Sequence, residues 1–264
     1  MENNETRPRR KGAGSFFGRR HGKTLRPLHV SLLDVSLPKL LLDLDAPGPL
    51  KAADIFPIPV TSVRLEIGFG GGEHLLHRLR EYPDTGFIGV EPFVNGMAKL
   101  LAGLHADPMA NVRVFNQDAA LLLDWLPAAS IDHVDILYPD PWPKKRQHKR
   151  RFISPENLAR LARVLKLGAK LCFASDIADY INWALTHIRE HGGFEFTAMD
   201  AQDWRLPYAG WPGTRYEAKA FREGRVPAYL TFEKTIADIA HVRDSGPIAV
   251  ERSSDSHDAP NFEH

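Results

Sequence analysis

The sequence predicts an α/β fold with a mostly parallel sheet covered by helices on both faces. Short apolar strand-like runs alternate with helical runs through the middle of the chain, the pattern expected of βα units. The first strand-like run ends in glycines, and acidic residues follow the next ones. In order, VRLEIG (63–68) reads as a strand and GEHLLHRLRE (72–81) as a helix with Leu75, Leu76 and Leu79 on one face. GFIGVE (86–91) is a strand, and PFVNGMAKLLAGLHAD (92–107) a helix. NVRVFN (111–116) and AALLLDWL (119–126) repeat the pair, and IDHVDILY (131–138) is a fourth strand. The next helix starts at Ser154, an N-cap followed by Pro155, and stops at Gly168. AKLCFAS (169–175), a helix over 176–193, FEFTAMD (194–200) and VPAYLTFEK (226–234) complete the set.

Three parts are expected: a basic, partly disordered extension over 1–52, a folded domain over 53–236 and a disordered tail over 237–264. Residues 1 to about 26 and the tail from about His241 lack periodicity, while LLDVSLPKLLLDLD (32–45) reads as a helical or irregular extension followed by a proline-rich connection. The chain has 264 residues, with 34 Lys and Arg against 33 Asp and Glu. That near-balance conceals a split. Residues 1–26 hold eight basic residues and two acids, and KKRQHKRR (144–151) holds six basic residues and no acid. The remaining body is acidic. Concentrated basic blocks favour phosphate backbones. The single cysteine, Cys172, excludes an internal disulfide and lies in an apolar run. No run approaches the roughly 20 apolar residues of a membrane span, and the basic N-terminus lacks the apolar stretch of a secretory signal. A cytoplasmic protein without metal is expected. His187-Ile188-Arg189-Glu190-His191 matches a zinc pattern but falls at a helix end away from the ligand edge, and reads as solvated. His74 and His77 read as surface residues.

Ligands of such sheets bind beyond the carboxyl ends of the strands, and the chemistry is sought there. In LEIGFGGGEH, Glu66, Gly68 and Gly70 occupy a strand–turn–helix junction. A phosphate loop needs a following Lys-Ser or Lys-Thr, which is missing. A dinucleotide fingerprint needs a third glycine where Glu73 stands. The E-x-G-x-G pattern resembles the nucleoside loop of S-adenosylmethionine methyltransferases. An acid in that loop suits a cationic ligand and repels pyrophosphate. Glu91 ends the second strand, where a carboxylate accepts from ribose hydroxyls. Asp118 follows the third strand, placed either to accept from an adenine amino group or to cap a helix.

Tyr138 is followed by Pro139-Asp140-Pro141-Trp142-Pro143 and then the basic run. The prolines stiffen the backbone around Asp140, Trp142 offers a stacking face, and Lys144, Lys145, Arg146, Lys149, Arg150 and Arg151 offer phosphate-pairing charge. Thr214-Arg215-Tyr216-Glu217 reads both as a capped helix start and as a pocket wall.

Together with Asp176, these motifs resemble the bacterial tRNA (guanine-N7)-methyltransferase family over roughly residues 60–235, in order. Pro143 and His148 stand where many members carry His and Asn. The resemblance implies a Rossmann-like class I S-adenosylmethionine-dependent methyltransferase fold, with seven strands, one of them antiparallel. It implies S-adenosyl-L-methionine as cofactor, contacted by Glu66, Gly68, Gly70, Glu91, Asp118 and Asp140. It implies tRNA as partner, methylated at N7 of a variable-loop guanine. Lys144, Asp176, Thr214, Arg215, Tyr216 and Glu217 would contact this substrate, and Asp140 is the catalytic candidate. Whether Asp140 meets the guanine or the cofactor stays open. Competing readings are a nicotinamide oxidoreductase, which the missing glycine disfavours, an RNA methyltransferase acting on an exocyclic amine, and a catalytically inactive tRNA-binding protein.

Overall fold

The computed structural model describes residues 17–236; the expectations for residues 1–16 and for the tail from 237 lie outside them. Helices α1 (Pro27–Val35) and α2 (Leu37–Leu40) precede the first strand. Leu32 is buried in a cluster with Met97, Leu100, Leu101 and Leu104, and Leu42 in a second with Phe115 and Leu122. The amide of Leu42 donates to Val114 O at 2.9 Å. Much of the expected basic extension therefore shares the core of the domain.

Then follow β1 (Ser62–Ile67), α3 (Glu73–Glu81), β2 (Thr85–Val90), α4 (Val94–Ala106), β3 (Val112–Phe115), α5 (Ala119–Trp125), β4 (Ile131–Leu137), α6 (Pro155–Val164), β5 (Leu165–Ser175), α7 (Ala178–His191), β6 (Phe194–Phe196), α8 (Gln202–Arg205), α9 (Arg215–Arg222) and β7 (Ala228–Lys234). The strands form one sheet in the order β3-β2-β1-β4-β5-β7-β6. β7 runs antiparallel to both neighbours, and the pairs among the first five strands are parallel. The seven-stranded class I arrangement is the one the resemblance implied. Parallel neighbours need long crossovers, which α3, α4, α5 and α6 supply. Every residue of β2 is buried, as a strand covered on both faces must be.

One expected boundary differs. Gly168 does not close α6, which ends at Val164. It lies inside β5 at φ +77°. The register jumps there from Ile131–Leu165 to His133–Lys170, so the glycine absorbs a bulge. An apolar run after a helix and one before a strand look alike in sequence, and the pairing with β4 decides the boundary. The strand expected over 194–200 ends early, at Phe196.

The sheet carries a polar row. Glu66, Asp135, Cys172 and Thr231 lie opposite one another across β1, β4, β5 and β7. Asp135 accepts from Arg64 Nη2 at 3.2 Å and pairs with His133 Nε2 at 2.9 Å. Burial pushes the Cys172 thiol up, consistent with a structural thiol. Among the described residues, no helix is long and apolar enough to cross a membrane.

Candidate active site

The ends of β1, β2, β3 and β4 open into one cavity of about 450 Å³, within the usual range for small-molecule sites. Gly68, Glu91, Asp118, Tyr138 and Asp140 line it. Ser154, Asn157 and Arg160 from α6 and Tyr216 from α9 complete much of the wall, with Phe17 and Trp142.

The glycine loop and α4 meet closely. A Cβ on Gly96 would sit 2.2 Å from Gly70 O, so only glycine allows the approach. Gly68, at φ +78°, has nothing within 4 Å of a hypothetical Cβ; that open space is where a ligand can pass against the backbone. Glu91 joins the two elements: Gly70 N–H donates to Oε2 at 2.7 Å and Phe93 N–H to Oε1 at 2.9 Å. Burial pushes the Glu91 carboxyl up to about 7, opposed by those two amides and reinforced by the charge of Asp140. Asp118 caps α5, accepting from Ala120 N at 3.0 Å, and burial raises its carboxyl as well. It therefore serves as the helix cap while also lining the cavity. Asp140 stands at the rim, its carboxyl raised by partial enclosure. No described residue makes a hydrogen bond or ion pair to it.

Glu66 does not line this cavity. It is buried beneath the loop and accepts from His74 Nδ1 at 2.8 Å. His74 Nε2 in turn accepts from Arg78 Nε at 3.2 Å, which fixes the tautomer of the neutral ring. Burial lowers the His74 pKa, but the Glu66 carboxylate outweighs it and the net shift is upward. The expectation that His74 is a surface residue was wrong. Helical spacing gave no sign that an imidazole would pair with the loop acid eight residues earlier.

The 214–217 stretch builds the adjoining wall. Thr214 Oγ1 caps α9, accepting from Glu217 N at 3.1 Å. The Glu217 carboxylate is buried and held by Trp211 Nε1 at 2.9 Å and by the Tyr229 hydroxyl. Arg215 Nε lies 3.9 Å from Glu73 Oε1, and its guanidinium covers the Tyr216 ring. Asp176 accepts from Arg225 Nε at 2.6 Å, tying the end of β5 to the segment after α9. Trp211, Arg225 and Tyr229 escaped the sequence reading, since no motif links them to Glu217 or Asp176.

The basic run divides into two kinds of residue. Lys144, Lys145, Arg146 and Lys149 are exposed, the last three on a 3-10 turn over Lys145–Arg150. Arg150 lies over the Phe17 and Trp142 rings, each ring centroid 5.0 Å away. Arg151 is 2% exposed. It donates from Nε to Pro141 O at 2.9 Å, pairs with Asp179, and lies over the Tyr180 and Trp183 rings. The phosphate-pairing role expected of Arg151 is thereby corrected: it braces the proline–aspartate–proline segment against α7. His187 stacks on Trp183 at 3.9 Å, so it too is more enclosed than a solvated helix end.

Phe17 and Gly18 line the cavity, and the residues that follow are pinned to the start of α4. Val94 N–H donates to Arg20 O at 2.9 Å, Gly22 N–H to Asn95 Oδ1 at 2.7 Å, and Asn95 Nδ2 to Lys23 O at 2.7 Å.

The seven-stranded sheet with antiparallel β7, an acid-lined cavity beyond its strand ends and no phosphate loop is the arrangement of a class I S-adenosylmethionine-dependent methyltransferase. Comparison with known proteins narrows the class. A family model described as "Putative methyltransferase" matches residues 61–229. A protein of Agrobacterium fabrum named tRNA (guanine-N(7)-)-methyltransferase is 61% identical over 224 residues, 85% of this chain and 97% of its own. A Mesorhizobium japonicum protein of the same name is 62% identical over 218 residues, 83% and 94% of the two chains. One from Brucella melitensis is 58% identical over 228 residues, 86% and 97%. The chain belongs to the tRNA (guanine-N(7)-)-methyltransferase family.

Proposed function

We propose that this protein transfers a methyl group from S-adenosyl-L-methionine to N7 of a guanine in tRNA, guanine 46 of the variable loop. The observation that carries the reading is the convergence of Glu91, Asp118 and Asp140 on one cavity, bordered by Tyr216 and an exposed basic turn. Carboxylates without a phosphate cradle suit a cationic nucleoside cofactor, and the open face of Gly68 leaves room for it. The proposed contacts are Glu91 with ribose hydroxyls, Asp118 with the adenine amino group, and Gly68 and Gly70 with the cofactor through the loop backbone. Glu66 supports that loop from beneath through His74. Lys144, Asp176, Thr214, Arg215, Tyr216 and Glu217 are assigned to the tRNA side.

When bound, the cofactor supplies a methyl group already activated by its sulfonium. Guanine N7 carries a free lone pair, so no residue has to remove a proton. The work of the chain is alignment and exclusion of water, effects worth several orders of magnitude in rate. Asp140 then orients rather than acting as a base, accepting hydrogen bonds from the guanine edge or the cofactor amino group. Losing such a charge-assisted hydrogen bond costs about 1.5–3 kcal/mol, or about 10- to 150-fold. Asp140→Asn should lower kcat/KM by that factor across the pH range; activity near wild type would remove the carboxylate from the mechanism. The decisive test of the whole reading is nucleoside mass spectrometry of tRNA incubated with protein and cofactor. It should detect 7-methylguanosine, and its absence would reject the assignment.

A further inference from the structure

Two aromatic rings lie nearly parallel at the boundary between the cavity and α9. Tyr138 follows β4 and Tyr216 lies in the first turn of α9, and both line the cavity. Their planes are within 18° of parallel, with centroids 6.5 Å apart. A flat base between them needs about two carbon contact distances of roughly 3.5 Å, or about 7 Å in all. The centroid separation falls about half an ångström below that, so the rings must part for a base to enter. Tyr216, 43% exposed, has the freedom to give that distance.

Tyr138 is the fixed wall. Its backbone is left-handed, at φ +51°, unusual for a bulky side chain and the kind of strain found at functional positions. Its amide is held by Ala174 O at 2.8 Å, and its ring packs with Leu137, Ala174 and Tyr229. Pro139 follows directly. The strand end is thus locked in a conformation that turns this ring towards the cavity. Around it lie acids: Asp140 two residues on, with Glu217 and Asp176 close enough to act electrostatically on the Tyr138 hydroxyl. Guanine presents an imino and an amino donor on its Watson–Crick edge, which carboxylates accept. Adenine presents an acceptor at N1, which they repel.

We propose that Tyr138 and Tyr216 form a two-walled slot that stacks the target base, with the neighbouring carboxylates selecting guanine over adenine. The assignment rests on the guanine-methylation reading above. It makes Tyr138 a base-positioning residue, and it explains why the strand end keeps a strained backbone. Enzymes that act on a flipped base use such stacking between side chains.

The test compares wild type with Tyr138→Leu, Tyr138→Phe and Tyr216→Leu on an unmodified tRNA transcript. Three quantities are read: the single-turnover methylation rate at saturating cofactor and tRNA, tRNA affinity by filter binding, and S-adenosylhomocysteine affinity by calorimetry. Stacking on an aromatic ring contributes about 1–3 kcal/mol per base, so each leucine variant should slow single turnover about 5- to 150-fold. The flipped, stacked base is a minor population of the bound complex, so losing the stack lowers the reactive fraction, while tRNA affinity, set by phosphate pairing, should change by less than about twofold and product affinity should hold. Tyr138→Phe keeps the ring and should recover most of the rate lost in Tyr138→Leu. Wild-type rates in both leucine variants overturn the slot. So does a Phe variant as slow as the Leu variant, which would assign the effect to the hydroxyl. Loss of product binding in proportion to rate also overturns it, placing the rings in the cofactor site. Should Tyr138→Leu fail to fold, the exposed Tyr216 ring still decides the question. A wild-type protein that leaves tRNA unmethylated rejects the activity itself, whereas active wild type with unimpaired variants rejects only the slot.

Discussion

Glu91 illustrates how one buried carboxylate couples stability to pH. Its folded pKa, about 7, lies above the ordinary 4.5. Between those values the folded state holds a proton that the unfolded state has lost. Its contribution to stability therefore falls as pH rises from about 4.5 to 7, by about 3 kcal/mol in all. Glu91→Gln cannot ionise. Urea denaturation at pH 5 and pH 7 should show wild type losing stability relative to the variant at the higher pH; a constant difference would contradict the shift. Arg151 makes the opposite kind of statement, a charge that stabilises by being enclosed. Removing its hydrogen bonds and its stacking on two rings in Arg151→Met should cost about 1–3 kcal/mol, read as a lower Tm. The salt dependence of tRNA binding should stay unchanged, because the guanidinium is not free to meet phosphate.

At the level of elements, the 3-10 turn over Lys145–Arg150 carries the opposite expectation. Replacing Lys144, Lys145, Arg146 and Lys149 with alanine should weaken tRNA binding and flatten the log–log salt slope by roughly one for each phosphate left unpaired. Thermal stability should move little, since these side chains are exposed. An unchanged slope would place the RNA elsewhere. The contrast with Arg151 shows what sequence could and could not say. Six basic residues in eight positions announce a phosphate-binding segment. Which of them faces solvent depends on Asp179, Tyr180 and Trp183, almost 30 residues later, and no local pattern encodes that. Gly168 teaches the same lesson for boundaries: a glycine after an apolar helix looks like a stop signal, and pairing with β4 turns it into a strand bulge.

Over the whole molecule, the near-zero charge is the sum of an acidic body and two basic segments. Part of the acid is in the polar row across the sheet and part in the cavity, while Arg19, Arg20, Lys23 and Arg26 belong to the segment that follows the cavity-lining Phe17 and Gly18 and leads into α1. Deleting residues 1–26 removes both charge and the Phe17 wall. It should weaken tRNA binding at low salt and lower cofactor affinity together. An unchanged affinity for both, measured by filter binding and calorimetry, would separate that segment from the site.

The order of strands and helices, the glycine loop, the acids at successive strand ends and the basic run were legible in sequence because each rests on short-range chemistry: periodicity, turn-forming residues and local charge. They also carried the family resemblance. Tertiary structure alone decided that Glu66 turns to His74 while Asp118 and Asp140 face the cavity, that Arg151 is enclosed, and that Tyr138 stands parallel to Tyr216. Those outcomes depend on where segments tens of residues apart come to rest, and on the burial that follows. A residue's type sets which partners it can take, and packing chooses among them.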